Sequence, residues 1–103
     1  MTVKFQQWYC AVARAQYLNK VPALLLVDSR TGEHVARATV NIPGAKPKPN
    51  HVFIKNWSEN EGMYESLLEA GVIKEAVNEF PFNRIIVKEC PLTEATLTLP
   101  VHG

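Results

Sequence analysis

Residues 51–73 read HVFIKNWSENEGMYESLLEAGVI, and this stretch sets the fold. Val52, Phe53 and Ile54 form a short apolar run of strand type. Ser58 is the expected N-cap of a helix, and Glu61, three residues on, completes a capping box. Glu59 and Glu61 fall in the expected first turn, where the helix dipole favours negative charge. Met63, Tyr64, Leu67 and Leu68 form one apolar stripe at helical spacing. Gly71 is the natural C′ residue. Gly62 falls inside this helix, where glycine costs about 1 kcal/mol against alanine, so close approach of another backbone is expected there.

Working outward, Thr2–Gln7 alternates apolar and polar, and the pattern predicts a strand running to about Val12. Arg14–Lys20 reads either as the start of the next strand or as a connection. Leu24–Val27 is short and continuous, as in a strand covered on both faces. Asp28, Ser29 and Gly32 are turn formers, and Val35–Ile42 reads as the return strand of a β-hairpin. Pro43, Pro47 and Pro49 make a semi-rigid loop carrying Lys46 and Lys48. Beyond the helix, Val72–Phe80 keeps helix-like spacing and reads as a second short helix or an irregular extension, ended by Pro81. Arg84–Lys88 reads as a strand and Thr96–Leu99 as a last, peripheral one. The sum is a single α+β domain: an antiparallel sheet of about five strands with one main helix packed on a face.

The chain has 103 residues, 47% hydrophobic and 20% charged, which suits one globular domain with one core. A formal net charge of +1 argues against a strongly basic nucleic-acid binder and against an acidic DNA mimic. Two cysteines, Cys10 and Cys90, are too few for a disulfide scaffold and read as buried free thiols. The opening residues lack the pattern of a signal peptide, and the longest apolar run, Ala23–Val27, falls far short of the roughly 20 residues of a membrane helix. A soluble, cytoplasmic protein with no membrane association is expected.

Chemistry-bearing motifs are few. His34, His51 and His102 have no ligand spacing to one another or to a cysteine, so no metal site is expected. There is no nucleophile elbow and no glycine-rich phosphate loop, so no cofactor is expected. Glu61, Glu65 and Glu69 repeat every four residues beside the apolar stripe, either as a solvated face or as an acidic strip that meets a basic partner. Lys4, Trp8, Arg14, Tyr17 and Lys20, with Lys46, Lys48 and Lys55 later, offer some of the basic and aromatic residues a nucleic-acid binder needs. Trp57, just before the expected cap, is either a core anchor or an exposed contact residue.

Several segments resemble a family of small bacterial proteins carried on plasmids and phage-like elements. The likeness rests on Thr39-Val40-Asn41-Ile42-Pro43, on the run from Phe53 to Gly62 (FIKNWSENEG), and on Glu69-Ala70-Gly71, with Leu26-Val27-Asp28 and Thr31-Gly32-Glu33 also fitting. It covers roughly Leu24–Ile73, and the family carries no assigned activity. The resemblance implies a mobile-element context in a bacterial cytoplasm. Small phage and plasmid proteins without catalytic motifs are often stoichiometric binders of host machinery. The expected function is a non-catalytic protein-binding module that inhibits a host defence complex of anti-CRISPR or anti-restriction type. The alternatives are a nucleic-acid-binding accessory or regulatory protein and, third, a small enzyme using Cys90 or the helix glutamates. Since capping and dipole roles account for Ser58, Glu59 and Glu61, the candidate partner-binding residues are Lys55, Trp57, Asn60, Glu65, Glu69, Lys46 and Lys48.

Overall fold

A computed structural model describes residues 1–102. In chain order the elements are β1 (Thr2–Phe5), β2 (Trp8–Gln16), β3 (Pro22–Asp28), β4 (His34–Arg37), β5 (His51–Ile54), a 3₁₀ turn (Ser58–Asn60), α1 (Met63–Glu69), β6 (Asn78–Phe82), β7 (Ile85–Pro91), α2 (Glu94–Leu97) and β8 (Val101–His102). The α+β class holds, with more sheet than expected. One sheet has the order β1-β2-β3-β4, with β8 lying parallel beside β2; the other has the order β5-β7-β6. Every other strand pairing is antiparallel. An isolated bridge between Thr39 and Ile54 joins the two sheets.

The N-terminal region is two strands, not one. Phe5 pairs with Trp8 across a turn at Gln6-Gln7, and Gln6 takes φ 55°. A glutamine does there what Asn or Gly usually does, so the turn carries no signature residue. The next hairpin forms as expected. Asp28 Oδ1 accepts from Arg30 N–H at 2.8 Å, and Gly32 sits at φ 76°. Its return strand is shorter than expected: β4 ends at Arg37, and the chain then crosses to β5.

One face of the sheets carries Val3, Phe5, Cys10, Leu24, Leu26, Ala36, Val52, Ile54 and Cys90, all buried in the main core. Onto it α1 lays Met63 and Leu67, both fully buried, while Tyr64 and Leu68 flank them. The predicted apolar stripe is therefore the packing face. Truncating Leu67 to alanine would cost about 2–5 kcal/mol.

The helix ends as expected but begins differently. Gly71 sits at φ 75°, with Gly71 N–H donating to Leu68 O and Val72 N–H to Leu67 O. That pair of bonds is a Schellman motif, and buried Val72 supplies its apolar contact to Leu67. At the start, the Ser58–Glu61 box does not form. Ser58 opens the 3₁₀ turn at φ 58°, and α1 starts five residues later, after Gly62. The cap comes from Asn56, whose Oδ1 accepts from Tyr64 N–H at 2.8 Å. Gly62 is outside the helix at φ 88°, and a Cβ there would meet nothing within 4 Å. Its positive φ explains it; no backbone packs on it.

Of the two readings of Val72–Phe80, the short helix does not form and the irregular extension does, as far as Val77. Thr96 Oγ1 donates to Val72 O at 2.8 Å and Thr93 Oγ1 to Gly71 O at 2.6 Å, so the carbonyls a helix would use are already engaged. Ile73 forms an isolated bridge to Leu92, and the segment becomes β6 at Asn78. Pro81 lies inside β6, an edge strand where a missing donor is tolerated. Asn83 and Arg84, at φ 48° and 68°, turn β6 into β7. Thr96–Leu99 is not a strand, because Thr93 Oγ1 accepts from Thr96 N–H at 3.3 Å and starts α2. Arg14 then reaches from β2 to the carbonyls of Leu97 and Leu99, at 3.0 and 3.1 Å.

A smaller cluster of Ile42, Phe53 and Val87 lies on the opposite face of the second sheet, with Trp57 and Phe80 packed against it. The proline loop is tied down beside it: Lys48 N–H donates to Glu89 Oε2 at 2.8 Å, and Glu89 is 4% exposed.

These contacts assign the cap. Asn56→Ala should lower the unfolding free energy by about 1 kcal/mol, whereas Ser58→Ala should change it by less than about 0.5 kcal/mol, as read by urea denaturation.

Candidate functional site

A broad surface concavity follows from how the chain leaves β4. Ala38 N–H donates to Leu24 O at 2.9 Å, while Ala38 O accepts from Lys55 N–H at 2.9 Å. One residue thus faces β3 with its donor and β5 with its acceptor. Thr39 Oγ1 accepts from Leu24 N–H at 3.2 Å, supplying the acceptor that the departing strand withdraws. Before this point β4 has β3 on one side only. After it, the chain beyond β5 swings away at Trp57 into the 3₁₀ turn. The sheet therefore forks, and the fork is a groove of about 830 Å³.

All four residues of β4 line one wall, and Lys55, Trp57, Glu59 and Asn60 line the other. Trp8 and Tyr17 border the groove as well. Trp8 is 38% exposed although it follows the core-facing alternation of β1 and β2, because the apolar covering stops short of it. Two ties fix the walls. Asn60 Nδ2 donates to Arg37 O at 2.6 Å, and Gln6 Nε2 donates to Glu59 O at 3.0 Å. The Arg37 guanidinium lies 5.8 Å from the centroid of the Tyr17 ring, whose hydroxyl is 3.0 Å from Thr39 Oγ1. Among the described residues no carboxylate pairs with Arg37. Lys55 and Glu59 pair with each other, and that bond holds the Glu59 carboxyl below its ordinary range. The pair is exposed and adds little to stability.

The expected partner-binding residues fall in three places. Lys55, Trp57 and Asn60 meet at the groove. Asn60 is only 1% exposed and its amide holds Arg37 O, so it builds the wall and does not face a partner. Trp57 is half-buried: one side anchors the smaller cluster and the other lines the groove. Glu65 and Glu69 are exposed on α1, away from the groove. Because Glu61 precedes the helix, the acidic strip is two residues long, and Glu69 borders a separate depression beside Lys4 and Tyr9. Lys46 and Lys48 join Lys20 around a third depression of about 450 Å³, edged by Pro22, Pro47 and Pro49. Arg14 does not join them, since its guanidinium holds the end of α2. Arg37 was not anticipated as a site residue. Its position depends on where the chain crosses between sheets, which leaves no local signal.

Both thiols are buried and unpaired. Burial, and to a lesser degree Asp28, pushes Cys10 up. Burial pushes Cys90 to about 12, with Lys88 pulling it back only in part. At neutral pH both are protonated, the less nucleophilic form. Among the described residues no group of three or more His, Cys, Asp or Glu side chains is placed to hold a metal ion, and no helix is long and apolar enough to cross a membrane.

The thiol environment sets a pH dependence. Cys90 binds its proton more tightly in the folded state than in the unfolded one, so its contribution is intact below about pH 9 and declines as pH rises toward 12. Urea titrations between pH 7 and 10.5 should show that decline, smaller in Cys90→Ala. Ellman's reagent at pH 8 should label neither thiol until the chain unfolds.

Comparison with family models, with curated proteins and with solved structures finds no match for this chain.

Proposed function

We propose that this chain is a non-catalytic protein-binding module and that the forked groove is its docking site. The observation that carries this reading is the groove's make-up: exposed Trp8, half-buried Trp57 and Tyr17, and an Arg37 without a carboxylate partner. Tryptophan, tyrosine and arginine are the residues enriched at binding hot spots, where large surfaces desolvate against a partner. The buried, protonated thiols disfavour a cysteine nucleophile. The likeness of the Phe53–Gly62 segment to mobile-element proteins leads us to place the partner among host defence complexes, of CRISPR or restriction type. The module would inhibit such a complex by occupying one of its surfaces.

Arg37→Glu tests this, because Arg37 is exposed and the change leaves the core alone. The immobilised wild-type chain should retain a stoichiometric protein from a defence-proficient bacterial lysate. Arg37→Glu should keep its circular dichroism spectrum and lose that protein by about tenfold or more. Equal retention by both would remove the groove from the reading, and Glu65→Lys with Glu69→Lys would then probe the helix face.

One observation favours the second reading, nucleic-acid binding. Lys20, Lys46 and Lys48 converge on one depression, and none of the residues lining it is acidic. Lys55 and Arg14 do not join them: Lys55 lines the forked groove, and Arg14 holds the carbonyls of Leu97 and Leu99. If this reading holds, fluorescence anisotropy at about 20 mM salt should show DNA or RNA binding that falls steeply with added salt and disappears in the Lys46→Glu, Lys48→Glu double variant.

A further inference from the structure

We propose that the groove takes an extended segment of a partner protein as an added β-strand along β4, with an acidic side chain of that segment set against Arg37. This deepens the protein-binding reading and rests on it.

The backbone supplies the first part of the argument. β4 is hydrogen-bonded to another strand on one side only. Its register sets Ala36 against Leu26 and Arg37 against Leu25. Ala38 N–H bonds across to Leu24. Backbone groups alternate sides along an antiparallel strand, so Arg37 directs its own groups away from β3. The bond from Asn60 Nδ2 to Arg37 O, on that far side, agrees with this. Arg37 N–H therefore faces the groove, with no acceptor among the described residues. Asn60 already holds Arg37 O, so an added strand is anchored by this one donor, and the bordering groove takes its alternate side chains.

Charge and shape supply the second part. Lys55 and Glu59 neutralise each other, which leaves the Arg37 guanidinium as the uncompensated charge, stacked on Tyr17. Trp8 and Trp57 give apolar surface nearby. A segment alternating acidic and apolar residues matches both, since neighbouring side chains of a strand point to opposite faces.

A second copy of this chain fits poorly. The charged residue of β1 is Lys4, of the same sign as Arg37. β6 carries Pro81, which has no donor, and its Glu79 is engaged by Lys88 at 2.9 Å. β4, β5 and β8 carry no acidic residue, so the acidic segment comes from a different protein.

The test uses the full ¹⁵N-labelled chain and a synthetic octapeptide that alternates glutamate with valine or phenylalanine. Binding should shift the Arg37 amide and the indole resonances of Trp8 and Trp57, and slow deuterium exchange at Arg37 N–H by about tenfold. N-methylation of alternate peptide bonds in the probe should weaken binding by about tenfold, because it blocks the ladder without touching the protein. Arg37→Glu should weaken binding of the glutamate probe and prefer a lysine-substituted one. Equal binding of the N-methylated probe would overturn strand addition. So would the absence of any shift at about 1 mM probe. Groove resonances that respond to oligothymidylate and not to the peptide would also overturn it, in favour of a nucleic-acid groove. If the probe fails while capture of a protein still depends on Arg37, the docking site stands and only the strand mode is lost. If both fail, the docking site falls with it.

Discussion

Ala38 carries a constraint that the whole molecule depends on. Its N–H belongs to one sheet and its carbonyl to the other. A strand normally keeps one neighbour on each side along its length, and changing neighbours strands a backbone group unless something replaces the lost bond. Here the replacement is a side chain: Thr39 Oγ1 meets Leu24 N–H, and Tyr17 lies within hydrogen-bond distance of the same hydroxyl. Thr39 is 1% exposed, so that hydroxyl works where water does not compete. The exchange lets a 103-residue chain wrap two sheets around its main core instead of extending a single flat one. It also opens the fork, because the strands that meet at Thr39 and Ile54 separate on one side of that point.

The helix shows how one local pattern can support two different structures. Asn56-Trp57-Ser58-Glu59-Asn60-Glu61-Gly62 contains several residues able to cap. The box spacing singles out Ser58 and Glu61, yet Asn56 does the capping across a 3₁₀ turn. Ser58 and Gly62 instead take positive φ, and the chain doubles back before α1 begins. The choice is tertiary. Asn60 must reach Arg37 O, 23 residues earlier, and a helix starting at Ser58 would not hold it in that place. The C-terminal end has no such competitor, so Gly71 ends the helix as its sequence suggests.

Much of the α+β architecture was legible from residue patterns: the central hairpin with its Asp28 turn, the short strand Val52–Ile54, the apolar face of α1 and the glycine stop. What escaped depends on partners distant in sequence. Gln6-Gln7 turns without a turn residue because β1 and β2 pair strongly enough to hold it. Val72–Phe80 looks helical by spacing, but Thr93 and Thr96 claim the carbonyls of Gly71 and Val72 at its start. The candidate site divides the same way. Lys55 and Trp57 were legible as residues that folding alone does not require. Arg37 was not, because its exposure is decided by a change of strand partner one residue later. Trp8 and Tyr17 were visible only as scattered aromatics, and pairing across β1, β2 and β3 sets them around one groove.

The strand edges have a consequence for how the chain behaves at high concentration. Unpaired edges invite copies of a protein to stack into aggregates. Pro81 interrupts the edge at β6. At β4 a register shift opposite Leu26 and Val27 leaves an extra residue in the strand, and the amide of Asn60 holds Arg37 O, so the edge offers a neighbour the Arg37 donor but no continuous ladder. Asn60 therefore acts as a gatekeeper as well as a wall. Its loss would open the Arg37 carbonyl beside the Arg37 donor to other copies, and the first symptom would be poor colloidal solubility in a chain that still folds.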